Sequence, residues 1–419
     1  MIVRWSRETS TMEPSLMMRV SARANRFPDS PIRKLAPLAD AAIARGVHVH
    51  SLNIGQPDVP TPQPFLDALH AYDRSVIAYG RSEGEPAYRE ALSDYYRAAG
   101  IELNASDLVV TVGGSEALLF ALQIVAEPGD EVLCFEPFYT NYNTFAMMSG
   151  VTLRPLRTDA ASGFHLPDDQ TILSAITPRT KAILICSPNN PTGTVLTEAE
   201  LRRLARVVKD HGLFIISDEV YREFVYEGTH TSILHIGGID GLDDHAILVD
   251  SISKRYSACG ARIGCLATRN KEVRAAAVRM AQGRLCPPVV EQAAALAMTR
   301  LGPGIFGPMR EEYMRRRDIT FEGLQRIPGL VCEKPQGAFY IMAELPIPDC
   351  EAFARWLLAD FSHNGETLMV APGPGFYVQD ESLHKPKGLN QVRLAYVLEI
   401  PKLKRAMDLL ARAVDQYTG

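Results

Sequence analysis

Lys254 closes the run Ser251-Ile-Ser-Lys254, directly after the apolar segment that begins at Ala246. That segment reads as a buried strand ending in a turn, so the lysine sits at the edge of a core. An amine in such a place can form a Schiff base with an aldehyde. Cys259-Gly-Ala-Arg-Ile-Gly264 follows closely, and the planar fork of Arg262 suits a phosphate. Ser-x-x-Lys says little alone, because a lysine after a strand is usually a solvated surface residue.

Two further runs add chemistry. Ser187-Pro-Asn-Asn190-Pro-Thr-Gly193 follows the apolar Ala182–Ile185; proline and glycine force a turn, leaving Asn190 as a fixed polar group at the strand's end. Leu213–Ile216 runs into Ser217-Asp-Glu-Val-Tyr221. An aspartate at the end of a buried strand is costly without a partner. A pyridinium N–H would be one, although Asp218 reads equally as a helix cap. Lysine, acid and phosphate-binding arginine together are what pyridoxal phosphate (PLP) requires. With Asn-Pro-Thr-Gly, Ser-Asp-Glu-x-Tyr and Ser-x-Ser-Lys…Gly-x-Arg-x-Gly in this order and at this spacing, the chain resembles the class I/II aminotransferases among fold-type I PLP enzymes. The resemblance runs from about Pro31 nearly to the C-terminus.

The chain has 419 residues, 46% hydrophobic and 22% charged, ordinary for a soluble globular protein of more than one lobe. A formal charge of −5 offers no field for nucleic acid or an anionic membrane, and no stretch approaches the ~20 apolar residues of a spanning helix. Seven cysteines (Cys134, Cys186, Cys259, Cys265, Cys286, Cys332 and Cys350) are scattered without a C-x-x-C pair. That favours free thiols in a reducing, cytoplasmic setting over disulfides or a metal site. Residues 1–30 read as a plain N-terminal extension, with Met17 or Met18 as alternative initiators. Arg4, Arg7, Arg19, Arg23 and Arg26 lie there without an apolar run for a secretory signal, and Glu8 and Glu13 weaken an organelle peptide.

The elements that must position these groups are legible as alternating segments. Val109–Val112, Glu131–Phe135 and the strands ending at Ile185, Ile216 and Ser251 alternate with helical patterns at Ser115–Ile124 and Glu198–Lys209. This predicts an α/β unit with a mostly parallel sheet flanked by helices. Past Leu301-Gly302-Pro303 a helix over Met309–Leu324, strands at Leu330-Val331, Gly337–Ala343 and Gln391–Tyr396, and a helix over Lys402–Tyr417 predict a smaller α+β lobe. The resemblance, not the pattern, implies that residues 31–59 join 313–419 in that lobe, with 60–312 as the large PLP-binding domain.

The resemblance also implies roles. Gly114, Ser115 and Glu116, in Gly113-Gly-Ser-Glu-Ala117, match a phosphate-binding turn at a helix N-terminus; alone, the motif reads as a tight turn with Ser115 as N-cap. The Glu116 side chain would point away. Tyr139 matches a ring that stacks on the pyridine, although an aromatic after a strand is usually packing, and Phe138 is then core. Asn190 and Tyr221 match donors to the cofactor's phenolic oxygen, Asp218 the partner of its ring nitrogen, and Ser251 and Arg262 the rest of the phosphate cradle. Tyr79, in Tyr79-Gly80-x-x-x-Gly84, matches a tyrosine that reaches the neighbouring subunit's phosphate, implying a homodimer with shared sites. Arg393, a charge in an apolar strand, matches the arginine that grips the substrate α-carboxylate. Gly55, in Leu52-Asn-Ile-Gly55-Gln-Pro57, matches the loop that closes over it, and Asn190 also matches a substrate-binding residue. Pro372-Gly373 and Gly337–Tyr340 are family-like landmarks that could be plain turns. Arg284 does not fall in register with the arginine that reads a distal carboxylate in dicarboxylate-specific members.

The implied function is PLP-dependent, ping-pong transfer of an amino group from an L-amino acid to a 2-oxo acid, with Lys254, Asp218 and Tyr221 catalytic. The alternatives are a C–S lyase, an aminocyclopropane-carboxylate synthase-like elimination enzyme and, in a different class, a PLP-binding sensor. Fold alone does not choose among them.

Overall fold

The computed structural model describes residues 19–27, 30–236, 241–378 and 386–419. Most of the expected N-terminal extension, including Arg4, Arg7, Glu8, Glu13, Met17 and Met18, lies outside the described residues.

Twelve strands are described: β1 (His48–Ser51), β2 (Leu108–Val112), β3 (Glu131–Glu136), β4 (Thr152–Arg157), β5 (Thr180–Cys186), β6 (Phe214–Asp218), β7 (Ala246–Ser251), β8 (Ile263–Ala267), β9 (Tyr340–Glu344), β10 (Glu366–Met369), β11 (Ala371–Pro372) and β12 (Gln391–Ala395). Seven form one sheet in the order β2-β8-β7-β6-β5-β3-β4, in which β8 alone runs antiparallel to its neighbours. β7 and β8 are buried along their whole length, as expected of strands covered on both faces. The helix Glu198–Asp210 illustrates how covering elements form. Thr197 and Glu200 make a reciprocal capping box, and Leu201, Leu204, Ala205 and Val208 lie on its buried face.

In a parallel sheet the carboxyl ends of the strands share one edge, where ligands collect. Here that edge carries Val112, Asp218 and Ser251. The reversed sense of β8 brings its first residue there too, Ile263 opposite Val112 and Gly264 opposite Ser251, so Arg262 reaches the same edge. Gly264 permits the fit: a Cβ there would overlap the backbone of Gly113.

β1 pairs in parallel with β10, His48 opposite Glu366, and the sheet β11-β12-β9 sets Arg393 between Ala371 and Met342. The helices Phe306–Leu324 and Ile400–Thr418 pack together. Two expected strands differ. Leu330-Val331 shrinks to an isolated bridge from Val331 to Glu344. The Gly337 strand begins only at Tyr340, because Ala338 takes a left-handed conformation (φ 55°) and Gly337 bridges to Val225 instead.

Candidate active site

A cavity of about 680 Å³ lies at the carboxyl edge of the large sheet and is closed by residues from β12 and from the N-terminal segment. Gly55, Gly114, Ser115, Tyr139, Asn190, Asp218, Tyr221, Ser251, Lys254, Arg262 and Arg393 all line it. Glu116 and Tyr79 do not.

Lys254 sits in a one-turn helix, Ile252–Arg255, just past β7. Its Nζ donates to the Gly55 carbonyl at 3.0 Å and lies 5.9 Å from the ring centres of Tyr221 and Phe339. Burial lowers its pKa; Cys259 opposes this, and the guanidiniums of Arg393 and Arg262 add to it. The amine is therefore easier to deprotonate than an ordinary lysine.

Asp218 ends β6, 4% exposed. Burial raises its pKa to about 6, opposed by the hydroxyl of Tyr142, which donates at 2.8 Å, and by the N–H of Val220 at 3.3 Å. No α-helix follows Asp218 directly, so it caps none. Tyr142 was not singled out from sequence; the signal was its place one helical turn after Tyr139.

The helix Gly113–Val125 starts at Val112 without a side-chain cap. Ser115 is its third residue and no N-cap, and the N-terminus faces the cavity through Gly114 and Ser115. Glu116 turns away, accepting from Val112 N at 2.8 Å and from Arg284 at 3.1 Å. Arg284 also donates to the Val110 carbonyl and does not border the cavity. Arg262, itself left-handed (φ 55°), donates to the Cys259 carbonyl at 2.9 Å and packs so closely on Gly113 that a Cβ there would overlap it. Ser251 Oγ donates to the Ile263 carbonyl at 2.9 Å.

At the other end Arg393 is 1% exposed. It donates to Asn190 Oδ1 at 3.0 Å and to the Asn53 carbonyl, and lies over the rings of Tyr340 and Phe376 at 4.6 and 4.9 Å. Its Nε has no hydrogen-bond partner among the described residues, and burial lowers its pKa. No carboxylate pairs with it there, so the buried cation is open to one from outside. Tyr340, read from sequence only as a landmark, meets Tyr221 hydroxyl to hydroxyl at 2.8 Å. It also packs so tightly on Gly55 that a Cβ there would overlap its ring. Tyr139, its phenol raised by burial to about 12, accepts from Asn141 at 2.9 Å and lies edge to face with Tyr142. Phe138 is core and stacks on Tyr142. Arg33 also lines the cavity; no spacing signal marked it.

The model for aminotransferase class I and II matches residues 47–377. The chain belongs to this family. It is 32% identical to a probable aspartate/prephenate aminotransferase of Thermus aquaticus over 98% of this chain and 99% of that one. A solved aspartate aminotransferase variant of Thermus thermophilus superposes with a TM-score of 0.84 at 31% identity, covering 95% of this chain and all of that one. An alanine aminotransferase of Pyrococcus furiosus does so at 0.85 and 30%, with the same coverage. The α/β architecture with its mostly parallel sheet is that of the solved aspartate aminotransferases, and the protein is an aminotransferase of a PLP-dependent family. Elimination chemistry is not favoured by the names of these relatives.

The cavity fits that cofactor. A buried acid at one wall suits a protonated ring nitrogen, and an arginine beside an uncapped helix N-terminus suits a phosphate. A lysine of lowered pKa faces the same space. Among the described residues no helix is long and apolar enough to cross a membrane, and no cluster of metal ligands is present.

Proposed function

We propose that the chain moves the amino group of an L-amino acid to a 2-oxo acid with Lys254 as the cofactor-holding amine and proton carrier and Arg393 as the carboxylate clamp. The observation that carries this reading is that an amine of lowered pKa and a buried guanidinium without a carboxylate partner among the described residues line one cavity. When bound, PLP supplies an aldehyde for amines and a ring that draws electrons from the donor's Cα. Arg262, Ser251 and the N–H groups of Gly114, Ser115 and Glu116 would hold its phosphate, Ser251 giving up its bond to the Ile263 carbonyl. Asp218, oriented by Tyr142, would keep the ring nitrogen protonated. Tyr139 would pack on the ring. Tyr221 would donate to the phenolic oxygen, as would the amide nitrogen of Asn190, whose Oδ1 already accepts from Arg393. Arg393 would grip the α-carboxylate under the Gly55 loop, and Lys254 in its neutral form would carry the Cα proton.

Arg33 is the one cavity-lining cation, among the described residues, without a role in this scheme. We assign it to the donor side chain. The reading is then an acidic donor such as aspartate, in keeping with the names of the two Thermus relatives though not with that of the alanine aminotransferase. The test is spectroscopic. Aspartate alone should convert the holoenzyme's cofactor absorption stoichiometrically, and a 2-oxo acid alone should restore it. Release of pyruvate from a β-substituted donor without a 2-oxo acid requirement would establish a lyase instead.

The functional unit is a homodimer. Tyr79 is 81% exposed beside Val76 and Ile77 at 69% and 68%, an apolar patch that a second copy would cover while Tyr79 reaches the partner's phosphate. Residues 31–59 and 313–419 would move as one lobe against 60–312, which the β1–β10 pairing favours. Free cysteines at all seven positions suit a reducing cytoplasm.

A further inference from the structure

Tyr340 opens β9 and Tyr221 follows β6, and the two meet at the wall of the catalytic cavity. Both are almost fully buried. Their rings lie edge to face, 5.5 Å between centres, and their hydroxyls are 2.8 Å apart. Main-chain bonds tie the two segments together. The Ala338 N–H donates to the Phe224 carbonyl at 2.8 Å, the Tyr226 N–H to the Gln336 carbonyl at 2.9 Å and the Gly337 N–H to the Gly193 carbonyl at 2.9 Å. Parting the hydroxyls would mean opening this seam.

A phenol has one hydrogen to give and lone pairs to accept with, so one of the two hydroxyls donates to the other. Burial raises the pKa of both. At Tyr340 the guanidinium of Arg393, 4.6 Å from the ring centre, opposes this, whereas at Tyr221 the neighbouring Tyr340 phenol adds to it. Tyr340 is thus the more acidic phenol and the better donor. Its other acceptor, the Gly55 carbonyl, lies at 3.4 Å, long for an O–H···O bond, and already receives Lys254 Nζ. A hydroxyl that accepts a hydrogen bond becomes a stronger donor through its own hydrogen.

We infer that Tyr340 is a positioning residue of the site: its hydroxyl donates to that of Tyr221, turns the Tyr221 hydrogen toward the cavity and strengthens Tyr221 as a donor. This rests on the reading in which Tyr221 donates to the phenolic oxygen of PLP. Donors on that oxygen favour its anionic form and loosen the proton on the Lys254 nitrogen that holds the cofactor. Tyr340 therefore sets, through Tyr221, the pH at which that nitrogen loses its proton.

The test is the pH midpoint of the holoenzyme's visible absorption, which reports this proton, in wild type, Tyr340→Phe, Tyr221→Phe and the double variant. Phenylalanine keeps the ring that packs on Gly55. Tyr221→Phe should raise the midpoint by about one pH unit, the equivalent of one lost hydrogen bond. Tyr340→Phe should raise it by about 0.3–0.5 unit, since polarisation is a fraction of the bond it strengthens. In the Tyr221→Phe background the Tyr340 substitution should add nothing. Tyr340→fluorotyrosine, a more acidic donor of nearly the same size, should lower the midpoint. It keeps both hydroxyls, so it decides even if the phenylalanine variant does not fold. The inference is overturned, with Tyr221 keeping its role, if Tyr221→Phe shifts the midpoint but Tyr340→Phe does not. It is overturned likewise if the Tyr340 shift is as large without the Tyr221 hydroxyl as with it, or if fluorotyrosine fails to lower the midpoint. An unmoved midpoint in Tyr221→Phe overturns both the inference and the reading of Tyr221 beneath it.

Discussion

At the scale of single residues, the site depends on two buried groups whose environments push their protonation away from the ordinary. Lys254 is held toward its neutral form, as the proposed proton carrier must be. Lys254→Ala should lower steady-state transamination by about 10³-fold or more while circular dichroism and thermal midpoint stay near wild type. Substantial multiple turnover in this variant would remove Lys254 from the mechanism. Asp218 yields a pH prediction for the cofactor-free protein. Its native pKa near 6 lies above its ordinary 3.8, so between these values the folded state binds more proton than the unfolded chain, and stability falls as pH rises through that window. The Asn variant lacks the titration. The stability of wild type minus that of Asp218→Asn, from denaturant unfolding, should therefore fall by about 1–3 kcal/mol between pH 4 and 7. A flat difference would mean that the carboxylate is solvated. With cofactor, the same variant should bind PLP but lose most turnover, because an amide is no anionic partner for the ring nitrogen.

At the scale of elements, the reversed direction of β8 places Arg262 beside the start of the helix Gly113–Val125, and two glycines permit the approach. A Cβ at Gly264 would overlap main-chain atoms of Gly113, and backbone paired in a sheet cannot easily yield. Gly264→Ala should cost about 1–3 kcal/mol of stability and weaken PLP binding about tenfold, read by unfolding and by cofactor titration. The Gly55 loop is similarly constrained by Tyr340. Gly55→Ala should raise KM for both substrates, and adding Tyr340→Phe should not rescue it, because the overlap includes ring carbons as well as the hydroxyl. Rescue by the phenylalanine would show that the hydroxyl alone sets the loop's position.

At the scale of the whole molecule, the exposed Val76–Tyr79 patch is the feature a single chain leaves unfinished. The Tyr79→Phe variant is measured first, since one phosphate hydrogen bond among several is worth only about 1–3 kcal/mol; if its defect is small, Tyr79→Ala replaces it. Mixed with inactive Lys254→Ala under conditions of subunit exchange, the Tyr79 variant should restore part of the activity. In that heterodimer both defects fall in one site and the other is intact. No restoration would place Tyr79 in its own subunit's site, and a fully active monomer would end the shared-site reading.

The strands that hold the chemistry were legible because each is a short apolar run closed by a turn signal. Covered on both faces, such strands need no partner to be recognised, and β7 ends where its pattern does, at Ser251. The candidate residues at strand ends, Asn190, Asp218 and Lys254, inherit that clarity. Local pattern could not carry what depends on contacts between distant segments. Leu330-Val331 looked like a strand but found only one bridging partner. Ser115 looked like a cap, yet the helix begins two residues earlier because Gly113 takes a left-handed turn under Arg262. Arg33 borders the cavity, and Tyr142 reaches Asp218 beside it, only through packing of segments far apart in the chain. The pairing of β1 with β10, some three hundred residues later, leaves no trace in either strand's composition, since four-residue strands match many partners equally. Residue types and their spacing thus determined which chemistry the chain can do. Tertiary structure decided which side chains meet, because burial and long-range pairing act on distance in space.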